Sequence, residues 1–237
     1  MQRYFSNRKV DDYFELDSDD IRHITLVMRM NDGDKIEVVH QQNVYLCCIE
    51  NVNKNVKIKI EKEQKKSENF LPKINLIIPL LKENKLDFIL QKSTELGVDK
   101  ITFVPMERSI IRLESNKQDK KLQRWIRICK EASEQSMRTS IPQINVLDSM
   151  KEIINLQGIK LVCSTAEKKN NIKKMFQMHK TCDTINLVIG PEGGISPNEE
   201  KFLNDNGFIS VTLGNNIMRV ETVPLFLMSV LNYEFME

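Results

Sequence analysis

What this chain lacks narrows the possibilities first. Its five cysteines, Cys47, Cys48, Cys129, Cys163 and Cys182, are odd in number, and no two stand in a CxxC spacing. A disulfide framework needs an even set and a structural zinc site needs close thiolate pairs, so the thiols read as buried or free. Histidine is scarce: His23, His40 and His179 are the whole supply. No His-rich centre can be assembled from them, and no metal is expected. There is no apolar run of the ~18 residues that a membrane span requires. The opening Met-Gln-Arg-Tyr-Phe-Ser-Asn-Arg-Lys lacks the apolar core of a secretory leader. The expectation is a cytoplasmic protein with no membrane attachment. Excess charge is also missing, since a net +2 over 237 residues neither demands nor excludes a polyanionic partner.

What is present is ordinary in amount and uneven in distribution. Hydrophobic residues make up 41% and charged residues 29%, the balance of a globular protein of one large domain, or a small and a medium one. Seven lysines stand against three glutamates between Lys54 and Lys73, and six basic residues against one aspartate between Lys117 and Lys130. Such runs are either solvated faces or phosphate-facing surfaces. The stretch Glu61-Lys-Glu-Gln-Lys-Lys-Ser-Glu-Asn69 has no apolar period and reads as a linker. It leaves parts of about 65 and about 165 residues, both of domain size.

The first part reads mainly as β. Lys35–Val39, Val44–Ile49 and the alternating Val56–Ile60 are strand-like, with Asn31-Asp-Gly-Asp34 as a turn before them. One helix is expected over Ser18–Met28, with Asp19 and Asp20 in its first turn. A small barrel with one helix is the simplest packing. The second part alternates. Strands are expected at Ile74–Ile78, Ile101–Val104, Ile159–Cys163, Ile185–Ile189 and Phe208–Leu213. Helices are expected at Lys82–Leu96, Lys117–Arg138, 148–156, 169–178, 197–206 and 221–235. In the long one, Leu122, Trp125, Ile126, Cys129 and Ala132 form a buried stripe. This rhythm gives an α/β fold with a parallel sheet covered on both faces.

Two strand exits carry the candidate chemistry. Leu187-Val-Ile-Gly-Pro-Glu-Gly-Gly-Ile-Ser196 runs from an apolar strand through a glycine-rich loop into a helix with Ser196 as N-cap. Open parallel sheets bind ligands just outside the C-terminal ends of their strands. Glycine there lets a ligand approach the backbone, and Pro191 restricts the loop. The alternative is a tight strand-to-helix turn, but five special residues in succession exceed what a turn needs. The lysine and hydroxyl of a P-loop are missing. The second exit is Leu213-Gly-Asn-Asn-Ile-Met-Arg-Val-Glu-Thr-Val-Pro224. It places Arg219, Glu221 and Thr222 before a helix that is apolar almost all round and so must be buried on most sides. Here the alternative is a structural Arg219–Glu221 pair with Thr222 as N-cap.

Together these blocks resemble the RsmE-type 16S rRNA uridine-N3 methyltransferases of the SPOUT superfamily, nearly end to end. The matching residues begin with Arg3-Tyr4-Phe5, Arg22-His23-Ile24, Val27-Met28-Arg29-Met30 and Gly33-Asp34. Next come Lys82, Lys85, Gln91-Lys-Ser-Thr-Glu-Leu-Gly-Val98, Pro105 and Arg108-Ser109. Trp125, Glu131-Ala-Ser-Glu-Gln-Ser136, Arg138 and Pro142 follow. The C-terminal signature is Gly190-Pro-Glu-Gly-Gly194 with Glu199, then Leu213-Gly214 and Met218-Arg219-x-Glu221-Thr222. Val220 and Val223 depart from the threonine and alanine usual there.

The resemblance implies a PUA-like, RNA-binding β-barrel at 1–68 and a SPOUT-type α/β trefoil-knot methyltransferase domain at 73–237. It implies a homodimer with S-adenosyl-L-methionine as cofactor and 16S rRNA of the small ribosomal subunit as partner. The cofactor residues would be Ile189, Gly190, Pro191, Glu192, Gly193, Gly194, Leu213, Gly214, Ile217, Met218 and Thr222. Glu221 would orient the uracil or accept its N3 proton, and Arg219 would stabilise charge on the uracil oxygens. Arg3, Arg8, Lys9, Arg22, Arg29, Arg108 and Arg138 are candidates for RNA contact. The alternatives are another SPOUT enzyme, such as a ribose 2′-O-methyltransferase, or a non-catalytic RNA-binding assembly factor.

Overall fold

The computed structural model describes residues 1–52, 55–64, 72–111 and 118–235. The chain divides into two compact units, one of Met1–Asn69 with Lys130–Ser140, the other of Phe70–Cys129 with Ile141–Glu237. The expected linker lies outside the described residues from Lys65 onward, as does Lys117 of the second basic run.

The first unit holds β1 (Gln2–Phe5), β2 (Arg8–Val10), β3 (Tyr13–Glu15), α1 (Ser18–Arg22), β4 (Lys35–His40), β5 (Asn43–Val52) and β6 (Asn55–Glu63). They form one six-stranded sheet in the order β1-β4-β5-β6-β3-β2. The β1–β4 pair is parallel and the others are antiparallel. Period-two alternation sends Ile36, Val38, Cys47, Ile49 and Ile58 into one core with Tyr4, Phe14 and Ile24. The sequence showed β4 to β6 but not the short β1 to β3, which have little alternation to read. The expected single helix is also interrupted. α1 ends at Arg22, and His23–Val27 continues as a five-residue π turn. Thr25 Oγ1 donates to the Ile21 carbonyl at 2.9 Å, a local bond that competes with helix geometry.

The second unit holds β7 (Lys73–Ile78), α2 (Glu83–Glu95), β8 (Lys100–Phe103), α3 (Gln118–Gln135), β9 (Gln143–Val146), β10 (Ile159–Cys163), α4 (Ile172–Met178), β11 (Thr184–Val188), α5 (Pro197–Asp205), β12 (Ile209–Val211) and α6 (Thr222–Phe235). Residues of α3 from Lys130 onward cluster with the first unit, a return that a linear division of the sequence does not contain. The strands form an all-parallel sheet in the order β12-β10-β11-β7-β8-β9. Successive residues of its central strands enter opposite cores. Leu76, Leu161 and Leu187 lie in one; Ile77, Val162 and Val188 lie in the other. Burial on both faces is why these strands read as unbroken apolar runs. α2, α3, α4 and α6 cover the first face through Leu86, Trp125, Phe176 and Leu227. On the second, Leu203 of α5 joins Met150 and Ile153. The helix expected at 148–156 is only a 3₁₀ turn at Met150–Ile153, capped by Ser149, and β9 was not anticipated.

Candidate functional site

Because all six strands of the second sheet are parallel, their C-terminal ends share one edge. The loops 164–171, 189–196 and 212–221 leave the neighbouring strands β10, β11 and β12 there. The helix after β10 joins the first core through Met175 and Phe176, whereas the helix after β11 joins the second through Leu203. Neighbouring strands whose connections depart to opposite faces leave a crevice between their loops, the usual ligand position in such sheets.

The glycine loop is built to stay tight. Ile189 is buried and donates its N–H to Ile77 at 2.9 Å. Gly194 has φ +73° and donates to the Pro191 carbonyl at 2.8 Å. A Cβ on Gly190 would stand 2.8 Å from the Ile195 nitrogen, so only glycine permits the fold-back. Ser196 and Glu199 form a reciprocal capping box on α5. The other Glu199 oxygen accepts from Glu107 N–H at 2.7 Å.

The second loop is open where the first is crowded. Gly214 has φ +127°, and a Cβ there would meet nothing within 4 Å. Ile217 is 84% exposed, while Leu213 and Met218 are half-buried. Thr212 donates to Asn170 at 2.8 Å and accepts from Ile172 at 3.1 Å, tying this loop to 164–171. The Arg219 carbonyl accepts from Thr222 and Val223 at the start of α6. Val220 and Val223 are buried in the apolar core. Their side chains belong to that core, which explains how valine is accommodated at both positions.

One residue joins the two loops. Lys85 Nζ lies 3.0 Å from Glu192 Oε1 and 3.2 Å from Glu221 Oε2. The first contact is a hydrogen bond. The second is an ion pair off the hydrogen-bond direction, and Glu221 Oε2 is a buried acceptor with no hydrogen bond among the described residues. The bond to Glu192 raises the Lys85 ammonium above its ordinary value. Glu192 is held below the usual carboxylate range: partial burial works against this, but its own N–H and Lys85 prevail. Glu221 is lowered by its own N–H, then by Lys85 and Arg219. Sequence reading placed Lys85 in a matching block but not in the site. Its partner Glu192 lies 107 positions away, and only the fold brings them together. The 164–171 loop, whose Ser164 hydroxyl accepts from the N–H groups of Ala166 and Glu167, gave no signal beyond a polar and charged run.

The basic candidates have different surroundings. Arg3 is not on the surface. It is 8% exposed, its Nε and Nη2 donate to Glu37 Oε2 at 3.0 and 2.7 Å, and its Nη1 bonds the carbonyls of Met137 and Arg138. It sits directly opposite Glu37 in the β1–β4 pair. Arg8 is exposed and pairs with Glu15 at 3.1 Å. Arg22 and Arg29 are exposed. Arg108 donates to the Gly193 carbonyl at 2.8 Å and so braces the glycine loop. Arg138 Nε donates to the Ser140 carbonyl at 3.2 Å. A separate cleft of about 670 Å³ lies at the ends of β8 and β9, lined by Phe103, Met106, Leu147 and Phe202 among others. None of the expected cofactor residues lines it. Among the described residues no group of three or more His, Cys, Asp or Glu could hold a metal, and no helix is long and apolar enough to cross a membrane.

Comparison with known proteins matches this architecture from end to end. A family model for an RNA methyltransferase domain covers residues 66–232, and one for an RNA methyltransferase PUA domain covers 16–67. The ribosomal RNA small subunit methyltransferase E of Bacillus subtilis is 31% identical, over 99% of this chain and 97% of its own. The protein of the same name in Mesomycoplasma hyopneumoniae is 32% identical, over 97% and 98%. Among solved structures, a methyltransferase of Legionella pneumophila in complex with the bound cofactor SAM superposes with a TM-score of 0.87 at 26% identity, covering 98% and 96% of the two chains. A ribosomal RNA small subunit methyltransferase E of Neisseria gonorrhoeae bound to S-adenosyl methionine gives 0.86 at 26%, covering 98% and 97%. With the crevice, its two loops and this end-to-end likeness in place, the chain belongs to the ribosomal RNA small subunit methyltransferase E family, with an N-terminal PUA domain and a C-terminal RNA methyltransferase domain.

Proposed function

We propose that this protein is an S-adenosylmethionine-dependent methyltransferase that modifies N3 of a uridine in 16S rRNA of the small ribosomal subunit. The observation that carries the reading is Lys85, which joins the glycine loop, through Glu192, to the Arg219–Glu221 loop. The residues present suit the cofactor. The open space beside Gly214 and the half-buried Leu213 and Met218 suit an apolar, planar group. The glycine loop brings backbone close to any ligand in the crevice. Glu192, Glu221 and the unbonded Glu221 Oε2 supply negative charge for a cationic one. Ile189 to Gly194, Leu213, Gly214, Ile217, Met218 and Thr222 are the proposed binding set.

When bound, the cofactor supplies a methyl group on an activated sulfonium leaving group. The chain's own task is to align N3 of the uracil and to manage its proton. Glu221 is held ionised, so it is an acceptor for the N3–H hydrogen bond and a weak base. In this reading it orients the ring through that bond and takes the N3 proton as the methyl group is transferred. Arg219 is exposed at the mouth of α6 and stabilises negative charge developing on the uracil oxygens. Replacing Glu221 by Gln should abolish methylation and leave cofactor affinity, measured by calorimetry, near normal. Unchanged turnover would remove Glu221 from the mechanism. Mass spectrometry of rRNA nucleosides from cells lacking the protein should show loss of N3-methyluridine.

In the same reading the first unit holds RNA through Arg8, Lys9, Arg22 and Arg29, with Arg108 and Arg138 as further contacts, in the cytoplasm. Charge reversal at Arg22 and Arg29 should weaken RNA binding and flatten its salt dependence. The protein would act as a homodimer, with a trefoil knot at the cofactor site. α6 supports the dimer. Its apolar residues are only partly covered within the chain, leaving Phe226 and Val230 half-buried and Tyr233 75% exposed, and α2, which packs against α6, leaves Phe88 exposed as well. The knot reading fits α6 returning from the edge strand β12 to pack in the core with α2 and α4. Sedimentation should give twice the 27.7 kDa chain mass.

A further inference from the structure

The segment after α1 spends its exposure in an unusual way. Leu26, Val27 and Met28 are consecutive, apolar and 64%, 65% and 39% exposed. Isolated exposed apolar residues are common, but three in succession on an ordered turn call for a reason. This turn is firmly held. Ile24 beneath it is fully buried. Tyr4 Oη and His23 Nδ1 are 2.9 Å apart in a hydrogen bond. Asp17 caps α1 by accepting from Asp20 N–H at 2.8 Å. The π turn closes with Met28 N–H on the His23 carbonyl and Met30 N–H on the Ile24 carbonyl. Arg29 completes it in the left-handed region at φ +51°, a conformation that costs a non-glycine residue free energy and persists only where the surroundings impose it. π turns inside helices occur frequently at functional positions.

Charge points to the partner. Between Ile21 and Met30 there are two arginines and no acidic residue. Arg22 and Arg29 are both exposed, and among the described residues neither guanidinium has an ion pair. A protein partner could cover the apolar residues, but it would need a carboxylate placed at each edge to meet the arginines. A nucleic acid satisfies both features, because phosphates take the arginines and base faces take the apolar side chains.

We infer that Leu26, Val27 and Met28 form an apolar wedge that inserts against unstacked bases of the RNA substrate, with Arg22 and Arg29 on the flanking phosphates. This rests on the reading of the protein as an rRNA methyltransferase and adds a mode of recognition that charge alone does not supply. The wedge provides contact with bases, and the arginines provide salt-dependent attraction.

The test uses the full-length protein and an unmodified 16S rRNA transcript, with affinity measured across a salt series. The double variant Leu26→Ser/Val27→Ser should bind about tenfold more weakly with the same salt slope, and its thermal midpoint should match the wild type. Leu26→Met/Val27→Ile should retain wild-type affinity. Arg22→Glu/Arg29→Glu should instead reduce the slope by about two. A serine variant that binds the transcript as tightly as wild type overturns the wedge. So does one that breaks up a wild-type oligomer in sedimentation, because the face would then be a contact between copies. Methyl transfer is measured in parallel. A wild type that binds the transcript but transfers no methyl group overturns the enzyme reading, and the loss of affinity in the serine variant still reports the wedge.

Discussion

Two lysines in this protein are each surrounded by carboxylates, with opposite consequences. In the first unit Lys130 Nζ meets Asp20 at 2.6 Å, Asp17 at 2.7 Å and Glu134 at 3.6 Å. In the second, Lys85 meets Glu192 and Glu221 at 3.0 and 3.2 Å. Around Lys130 burial dominates. It pushes Glu134 up to about 7, with Asp20 and Asp17 adding to the rise. Asp20 and Glu134 are buried beside one ammonium while Asp17 reaches solvent, so Glu134 is the carboxylate driven toward its neutral form. Around Lys85 more water is present and only two acids compete. Both stay ionised and are held low. The same residue types therefore make a structural clamp in one place and a charged, ligand-ready bridge in the other. Solvent access and the ratio of charges decide which.

The contrast can be broken from either side. The largest effect is expected from Lys130→Met, which leaves Asp20 and Glu134 without their cation. Removing one partner of a buried ion pair costs about 3 kcal/mol or more, and chemical denaturation should show it. Lys85→Met should lower kcat by about ten- to a hundredfold, or about 1.4–2.7 kcal/mol of transition-state stabilisation, with little change in stability. Lys85→Arg should recover part of the loss. If Lys85→Met is as destabilising as Lys130→Met, the two clusters are alike and the contrast fails.

A smaller and more specific effect concerns pH. Glu134 binds its proton more tightly in the fold than in the unfolded chain. Its contribution is therefore complete below about pH 4.5 and is lost as pH rises through about 7. Stability should decline across that window, and Glu134→Gln should flatten the decline. Equal pH slopes in the two proteins would show that other groups dominate. The smallest effect is expected at Gly214. With open space around it, Gly214→Ala meets only the strain of its left-handed backbone, about 1 kcal/mol. Gly190→Ala, whose new carbon would collide with the Ile195 backbone, should disrupt the loop and cofactor binding outright.

Legibility varied with the source of each signal. Strands buried on both faces, such as Ile159–Cys163, announce themselves as apolar runs. Ser196 with Glu199 announces the start of α5. The short β1 to β3 have no such pattern, and they owe their place to tertiary partners. Arg3 shows how composition can mislead. As an arginine near the terminus it reads as a phosphate contact, yet parallel pairing sets it against Glu37 and removes it from solvent. Val220 stands where the resemblance leads one to expect threonine, and the fold turns its side chain into the core.

The sequence alone determined the alternation of strands and helices, the glycine loop with its capping box, and the signature blocks at the two strand exits. These are local, carried by residues within a few positions of one another. Tertiary structure decided the rest. It chose Lys85 as the link between two loops that each lie more than a hundred positions from it, buried Arg3, assigned Lys130–Ser140 to the first unit, and exposed Leu26, Val27 and Met28. In each case the outcome depends on which distant groups share a neighbourhood and how much water remains there. Neither is encoded in the spacing of residues along the chain.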